Sequence, residues 1–129
     1  MLLDSNIIIY AAKPEHVSLR HFIAINAPAV SAVSYVEVLG YHLLSELERS
    51  YFELFFQTAQ MLQVNTSVLN QAVYLRQLRK MSLGDSLIAA TALASHRTLI
   101  TRNTDDFKWI VGLKLLDPLI ELEMKTISF

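Results

Sequence analysis

Four short segments of this chain carry oxygen-bearing side chains where they could do chemistry: Asp4 with Ser5, Glu37, Asp85, and Asn103 with Asp106. Each has an ordinary structural role open to it. Ser34 to Glu37, Ser45 to Glu48 and Ser82 to Asp85 all fit the capping box, in which Ser accepts from the third helical amide and the acid reaches back to the cap. Asn103 to Asp106 is a looser version, and Asp4 is placed to cap a turn opening at Ser5. Taken together they suggest more. Carboxylates a few ångströms apart cannot all stay ionised cheaply, because each raises its neighbours' pKa, so such a cluster calls for protons or a cation. The 129 residues include no Cys and four His, none in a His-x-x-x-His pair, which leaves oxygen ligands of the kind preferred by Mg2+ and Mn2+.

Whether the acids meet depends on the elements that carry them. Short apolar runs predict strands at Leu2 to Leu3, Ala29 to Val33, Met61 to Val64, Leu99 to Thr101 and Leu113 to Leu116. Apolar steps of three and four residues predict helices over Val17 to Ile25, Ser34 to Leu44, Glu46 to Gln60, Val68 to Lys80 and Asp85 to Ser95. Strands separated by helices imply a three-layer α/β/α fold around a central parallel sheet of about five strands. Two helices lie between the second and third strands, and again between the third and fourth. In such a sheet every strand-to-helix turn opens at the carboxyl ends of the strands, where ligands bind. Asp4 follows strand one, Glu37 lies early in the helix after strand two, and Asn103 and Asp106 follow strand four. The helix beginning near Asp85 leads back into strand four, so its first turn belongs at the same end. The topology therefore directs Asp4, Glu37 and Asp85 towards one place.

Length and composition bound the rest. At roughly 100–200 residues per domain, residues 1–129 are expected to form one domain. A hydrophobic content of 53% against 18% charged is globular and excludes a disordered chain. No apolar run approaches the roughly 20 residues needed to span a bilayer, and no basic segment precedes an apolar block at the start, so a cytoplasmic location is expected. The formal net charge of −1 argues against a global basic field of the kind that draws nucleic acid. Yet residues 67–114 hold seven basic side chains against three acidic ones, so the positive charge is local.

The segments Met1-Leu-Leu-Asp4-Ser-Asn6, Ser31-Ala-Val-Ser-Tyr-Val-Glu37, Lys80-Met-Ser-Leu-Gly-Asp85 and Leu99-Ile-Thr101-Arg-Asn103-Thr-Asp-Asp106-Phe occur in order. In this the chain resembles a PIN-domain protein of the VapC type, the toxin half of a type II toxin–antitoxin pair. The resemblance covers nearly the whole chain and implies a divalent-metal-dependent endoribonuclease. It also implies that Asp4, Glu37 and Asp85 gather Mg2+ or Mn2+. The family often has Asp where this chain has Asn103, so Asn103 would ligate without charge and Asp106 is expected to supply it. Thr101 is expected to orient a ligand carboxylate, and Ser5 to do the same for Asp4. One metal or two are both compatible with this set.

RNA would be held by phosphate contacts, for which Arg102, Arg79 and Lys80 are the candidates. The helices between Ser34 and Gln60 are apolar on more than one face. Leu39, Tyr41, Leu44, Tyr51 and Phe55 are accordingly expected to meet a partner, namely a second copy of the chain and an antitoxin. The contrasting expectation is a catalytically weak or inactive binding module, in which the acids only cap helices and the apolar helices dock another protein.

Overall fold

The computed structural model describes residues 1–120 and Leu122. The chain runs β1 (Leu2–Leu3), α1 (Ser5–Ala11), α2 (Val17–Asn26), β2 (Ala29–Ser31), α3 (Ala32–Leu39), α4 (Glu46–Thr58) and β3 (Met61–Leu62). It continues through α5 (Thr66–Leu78), α6 (Leu83–Ala94), β4 (Leu99–Ile100), α7 (Thr104–Phe107) and β5 (Leu115–Leu116). The five strands form one sheet in the order β3-β2-β1-β4-β5, every pair parallel. Leu2 stands opposite both Ala29 and Leu99, and Leu3 opposite both Val30 and Ile100.

Alternation along these short strands separates two cores. Leu3, Val30 and Ile100 face one side, with Ile7, Ile8, Leu19, Val38, Phe52 and Phe56 from α1 to α4. Leu2, Ala29 and Leu99 face the other, with Leu75, Ile88, Ala89, Ala92 and Phe107 from α5, α6 and α7. With both faces covered, the strands are apolar apart from Ser31 at the end of β2, and the expected α/β/α layering holds. Helix α6 packs against both α5 and α3, and its Ala89, Ala90 and Ala92 are fully buried, small side chains that permit close approach.

Three boundaries differ from the sequence reading. Asp4 accepts from the Ser5 amide, and the apolar run from Ile7 becomes helix α1. The first crossover therefore also holds two helices. Ser31 accepts from the Val33 amide, which ends β2 two residues early and starts α3 before Ser34. Ser34 is consequently not a cap; it is a fully buried residue inside the helix. Helix α3 stops at Leu39, leaving residues 40–45 as a connection to α4, where Ser45 and Glu48 do form the reciprocal capping box.

Candidate active site

The strand order reverses direction at β1: the chain builds outward to β3 and then returns to place β4 on the other flank of β1. A crevice at the carboxyl ends of the strands is expected at such a switch point, and Asp4 stands there, immediately after β1. It is 5% exposed, and both of its oxygens are engaged. The Ser5 amide donates to Oδ1 at 2.8 Å, and Thr101 Oγ1, at the end of β4, donates to Oδ2 at 2.8 Å. Thr101 Oγ1 in turn accepts from the Asn103 amide at 2.9 Å, so it also shapes the turn into α7. Burial pushes the Asp4 carboxyl up to about 6 against these two donors, and the charges of Asp85 and Glu37 push in the same direction.

Glu37 approaches from α3. Ser5 Oγ donates to Glu37 Oε1 at 2.8 Å and lies 2.9 Å from Ser34 Oγ. A hydroxyl has one proton to give, so with Ser5 donating to the carboxylate, Ser34 is the donor in the second contact. The Ser5 hydroxyl therefore positions Glu37, whereas the sequence reading had assigned it to Asp4. Gly84, in the first turn of α6, explains how the opposing helix comes so close. A Cβ there would stand 2.6 Å from Glu37 Oε2.

Asp85 is the next residue along α6, its amide donating to Ser82 Oγ at 3.1 Å. Its carboxyl is raised above the ordinary value first by burial, then by Asp106 and Glu37. Asp106, exposed in the short helix α7, thus completes a chain of mutually repelling acids, while Asp105 beside it is spent on Lys108 at 3.0 Å. Asn103 begins α7, and its side chain makes no capping bond. Among the described residues no basic side chain forms an ion pair with Asp4, Glu37, Asp85 or Asp106. Arg102, expected to contact RNA, instead pairs with Asp117 at 3.1 Å across the loops that follow β4 and β5. Arg79 lies over the Trp109 ring at 5.5 Å, and both Arg79 and Lys80 are exposed.

The donor set suits a hard divalent cation: carboxylates, one of them buried, and the buried Oδ1 of Asn6 beside Asp4 in sequence, which has no hydrogen-bond partner among the described residues. The side chains are not, however, arranged as a closed cage. Among the described residues no group of three or more His, Asp or Glu side chains has metal-holding geometry. Glu37 is turned towards Ser5, and Asp4 towards Thr101 and the Ser5 amide.

Sequence reasoning did not find Ser34, Gly84, Asn6 or Asp117. Gly84 had a legible signal, since a glycine in the first turn of a helix costs stability unless something comes close. The partner of Arg102 had none.

Of the expected partner-facing residues, Tyr41 and Leu44 line an apolar groove of about 510 Å3 with Ile9, Val36 and Phe52, rimmed by Glu37 and Glu48. Tyr51 and Phe55 line a separate groove of about 530 Å3 with Ile23, Ala27 and Pro28. Leu39 lines neither groove and packs instead against the first core. Among the described residues no helix is long and apolar enough to cross a membrane.

Solved structures share this architecture. A chain of a toxin–antitoxin complex from Klebsiella pneumoniae is 28% identical with a TM-score of 0.70, over 91% of this chain and 96% of that one. A chain of VapBC-1 from nontypeable Haemophilus influenzae is 26% identical with a TM-score of 0.74, over 90% and 96%. A chain of VapBC2 from Rickettsia felis, bound to a DNA fragment from the promoter, is 24% identical with a TM-score of 0.78 over 89% and 96%, a likeness of fold. No curated protein matches the sequence. The PIN domain profile, in contrast, matches residues 1–112, and the chain therefore belongs to the PIN domain family.

Proposed function

We propose that residues 1–129 act as one nuclease domain, the cytoplasmic toxin of a toxin–antitoxin pair that hydrolyses RNA phosphodiester bonds with the aid of Mg2+ or Mn2+. The observation that carries this reading is Asp4: a buried carboxylate at the switch point of the sheet, repelled by Glu37 and Asp85, with no ion-pair partner among the described residues. A purely capping aspartate has no need of burial or of like-charged neighbours. Family membership supports the reading, since PIN domains are typically metal-dependent nucleases.

Asp4, Glu37 and Asp85, with Asn103 or Asp106 as the fourth contributor, would hold the cation. When bound, a divalent ion lowers the pKa of a water nucleophile and offsets negative charge on the phosphate oxygens. Thr101 holds the Asp4 carboxylate against rotation, and Ser5 with Ser34 holds Glu37 at the rim of the site. Asp85 enters from the first turn of α6, its amide held by Ser82, and would share the cation with Asp4. Arg79 and Lys80 are exposed and available to phosphates, whereas Arg102 must first leave Asp117.

The likeness to chains of toxin–antitoxin complexes supports an antitoxin partner, and we assign it to the groove of Tyr41 and Leu44 beside Glu37. The groove of Tyr51 and Phe55 is then free for a second copy of the chain. The competing reading, a binding module without catalysis, is favoured by the absence of a ready ligand cage among the described residues. Cleavage of a mixed RNA pool with and without Mn2+ separates the two. Wild type should cut only with metal, and Asp4→Asn and Asp85→Asn should not cut. Activity surviving both substitutions would remove the proposed site.

A further inference from the structure

A second polar cavity, of about 220 Å3, lies at the amino ends of the strands and is lined by His96, Arg97, Thr98, Gly112, Leu113 and Lys114. Thr98 directly precedes β4 as Thr101 directly follows it. At roughly 3.3 Å per residue this cavity is therefore about 10 Å along the strand from the acidic site, at the opposite end of the sheet.

Its charge is one-sided. Two separate segments deliver the basic groups: His96 and Arg97 from the turn between α6 and β4, and Lys114 from the loop leading into β5. Among the described residues neither Arg97 nor Lys114 forms an ion pair; the pairs found are Arg102 with Asp117 and Lys108 with Asp105. The carbonyls of Leu93 and Ala92, at the end of α6, are taken up by the backbone amides of His96 and Arg97 at 3.2 and 2.9 Å, which sets both residues beside the cavity. They do not account for Lys114, which comes from a different element. Left-handed backbone at His96 (φ 54) and Gly112 (φ 84) turns the two loops that form the walls.

We propose that this cavity binds a phosphate group, with the Arg97 guanidinium as a two-pronged donor, the Lys114 ammonium as a point charge and the Thr98 hydroxyl as a neutral donor. Planar guanidinium matches paired phosphate oxygens, and a converging ammonium adds charge without fixed geometry. The proposal does not depend on the nuclease reading. Two sources share this chemistry, free phosphate and the backbone phosphate of an RNA strand passing the β5 edge.

The test is titration of the full chain with inorganic phosphate in metal-free buffer, followed by amide chemical shifts, and then with a short RNA at fixed salt. Wild type should show saturable shifts at Leu93, His96, Gly112 and Leu113, and Arg97→Gln with Lys114→Gln should weaken phosphate binding tenfold or more. Arg49→Gln, an exposed cation on α4, should leave it unchanged. Should the double variant fail to fold, Lys114→Gln alone, at an exposed position, should weaken binding several-fold. A matching loss of RNA affinity in the Lys114→Gln chain assigns the site to the RNA backbone, while unchanged RNA affinity assigns it to free phosphate. Absence of saturable shifts in wild type, or equal phosphate affinity in wild type and variants, overturns the proposal.

Discussion

Thr101 and Asp4 are 97 residues apart in sequence and joined by a 2.8 Å hydrogen bond across the carboxyl ends of β4 and β1. That bond holds the buried carboxylate in one orientation and, through the Asn103 amide, fixes the start of α7. Thr101→Val keeps the shape but leaves the buried Asp4 Oδ2 unmet, at about 1–3 kcal/mol, and releases the Asn103 amide. We expect a fall in Tm of several degrees and weaker Mn2+ binding by calorimetry, with Thr101→Ser restoring both. A valine variant with unchanged metal affinity would show that the bond serves the fold alone.

The raised carboxyl of Asp4 makes the metal-free protein sensitive to pH in a defined direction. The folded chain keeps a proton on Asp4 up to about pH 6, whereas the ordinary value is 3.8. The folded state thus binds the extra proton, and the stability from this group is complete below about pH 4 and is lost as pH rises through 6. Asp4→Asn should therefore stabilise the metal-free chain at pH 7.5 by on the order of 1–3 kcal/mol. It should change little at pH 4, and it should abolish the rise in Tm produced by Mn2+ in wild type. Denaturant unfolding at the two pH values measures this, and a variant that is less stable at pH 7.5 than at pH 4 relative to wild type contradicts it.

Gly84→Ala separates catalytic geometry from folding. The added Cβ meets only the far end of the Glu37 side chain, which can swing away, and alanine favours the helix by up to about 1 kcal/mol. Tm should hold or rise slightly. RNA cleavage should fall by about 10²-fold, the scale expected when a site group is displaced by an ångström. Loss of stability together with activity would mean that Gly84 serves helix packing.

Arg102 offers a contrast with the exposed cations. Asp117 is 8% exposed at its side chain and also accepts from the Leu119 amide, so Arg102→Gln strands a nearly buried carboxylate. Because Arg102 itself is 35% exposed, screening limits the cost to about 1–2 kcal/mol. RNA affinity should drop more for Lys80→Gln than for Arg102→Gln, as read by titration at fixed salt.

Tyr41→Ala should weaken capture of the cognate antitoxin about tenfold or more, the usual weight of a tyrosine anchor at an interface, without altering Tm. Binding by calorimetry with unchanged affinity would move the antitoxin to the groove of Tyr51 and Phe55.

The layering of helices on a parallel sheet was legible because the apolar runs are separated by helical periods, and those periods place Asp4, Glu37 and Asp85 at one end of the sheet. The start of α3 was not, because Ser31 and Ser34 offer the same side chain three residues apart. Only the burial of Ser34 against Ser5 decides between them. The role of Ser5 was misread for a related reason. A residue following Asp4 in sequence looks like its support, but its hydroxyl leaves α1 towards α3. The pairing of Arg102 with Asp117 depends on two loops meeting, and no local pattern reports that.

The sheet ends on β3 at one side and β5 at the other, each only two residues long. An outer strand that brief presents too few free amides and carbonyls to seed pairing with another chain, a device that keeps sheets from growing into fibres. Recognition is thereby denied a backbone template. Whatever binds this molecule must read side chains on its helices and loops, so its specificity lies in residues that can change without disturbing the ladder beneath them.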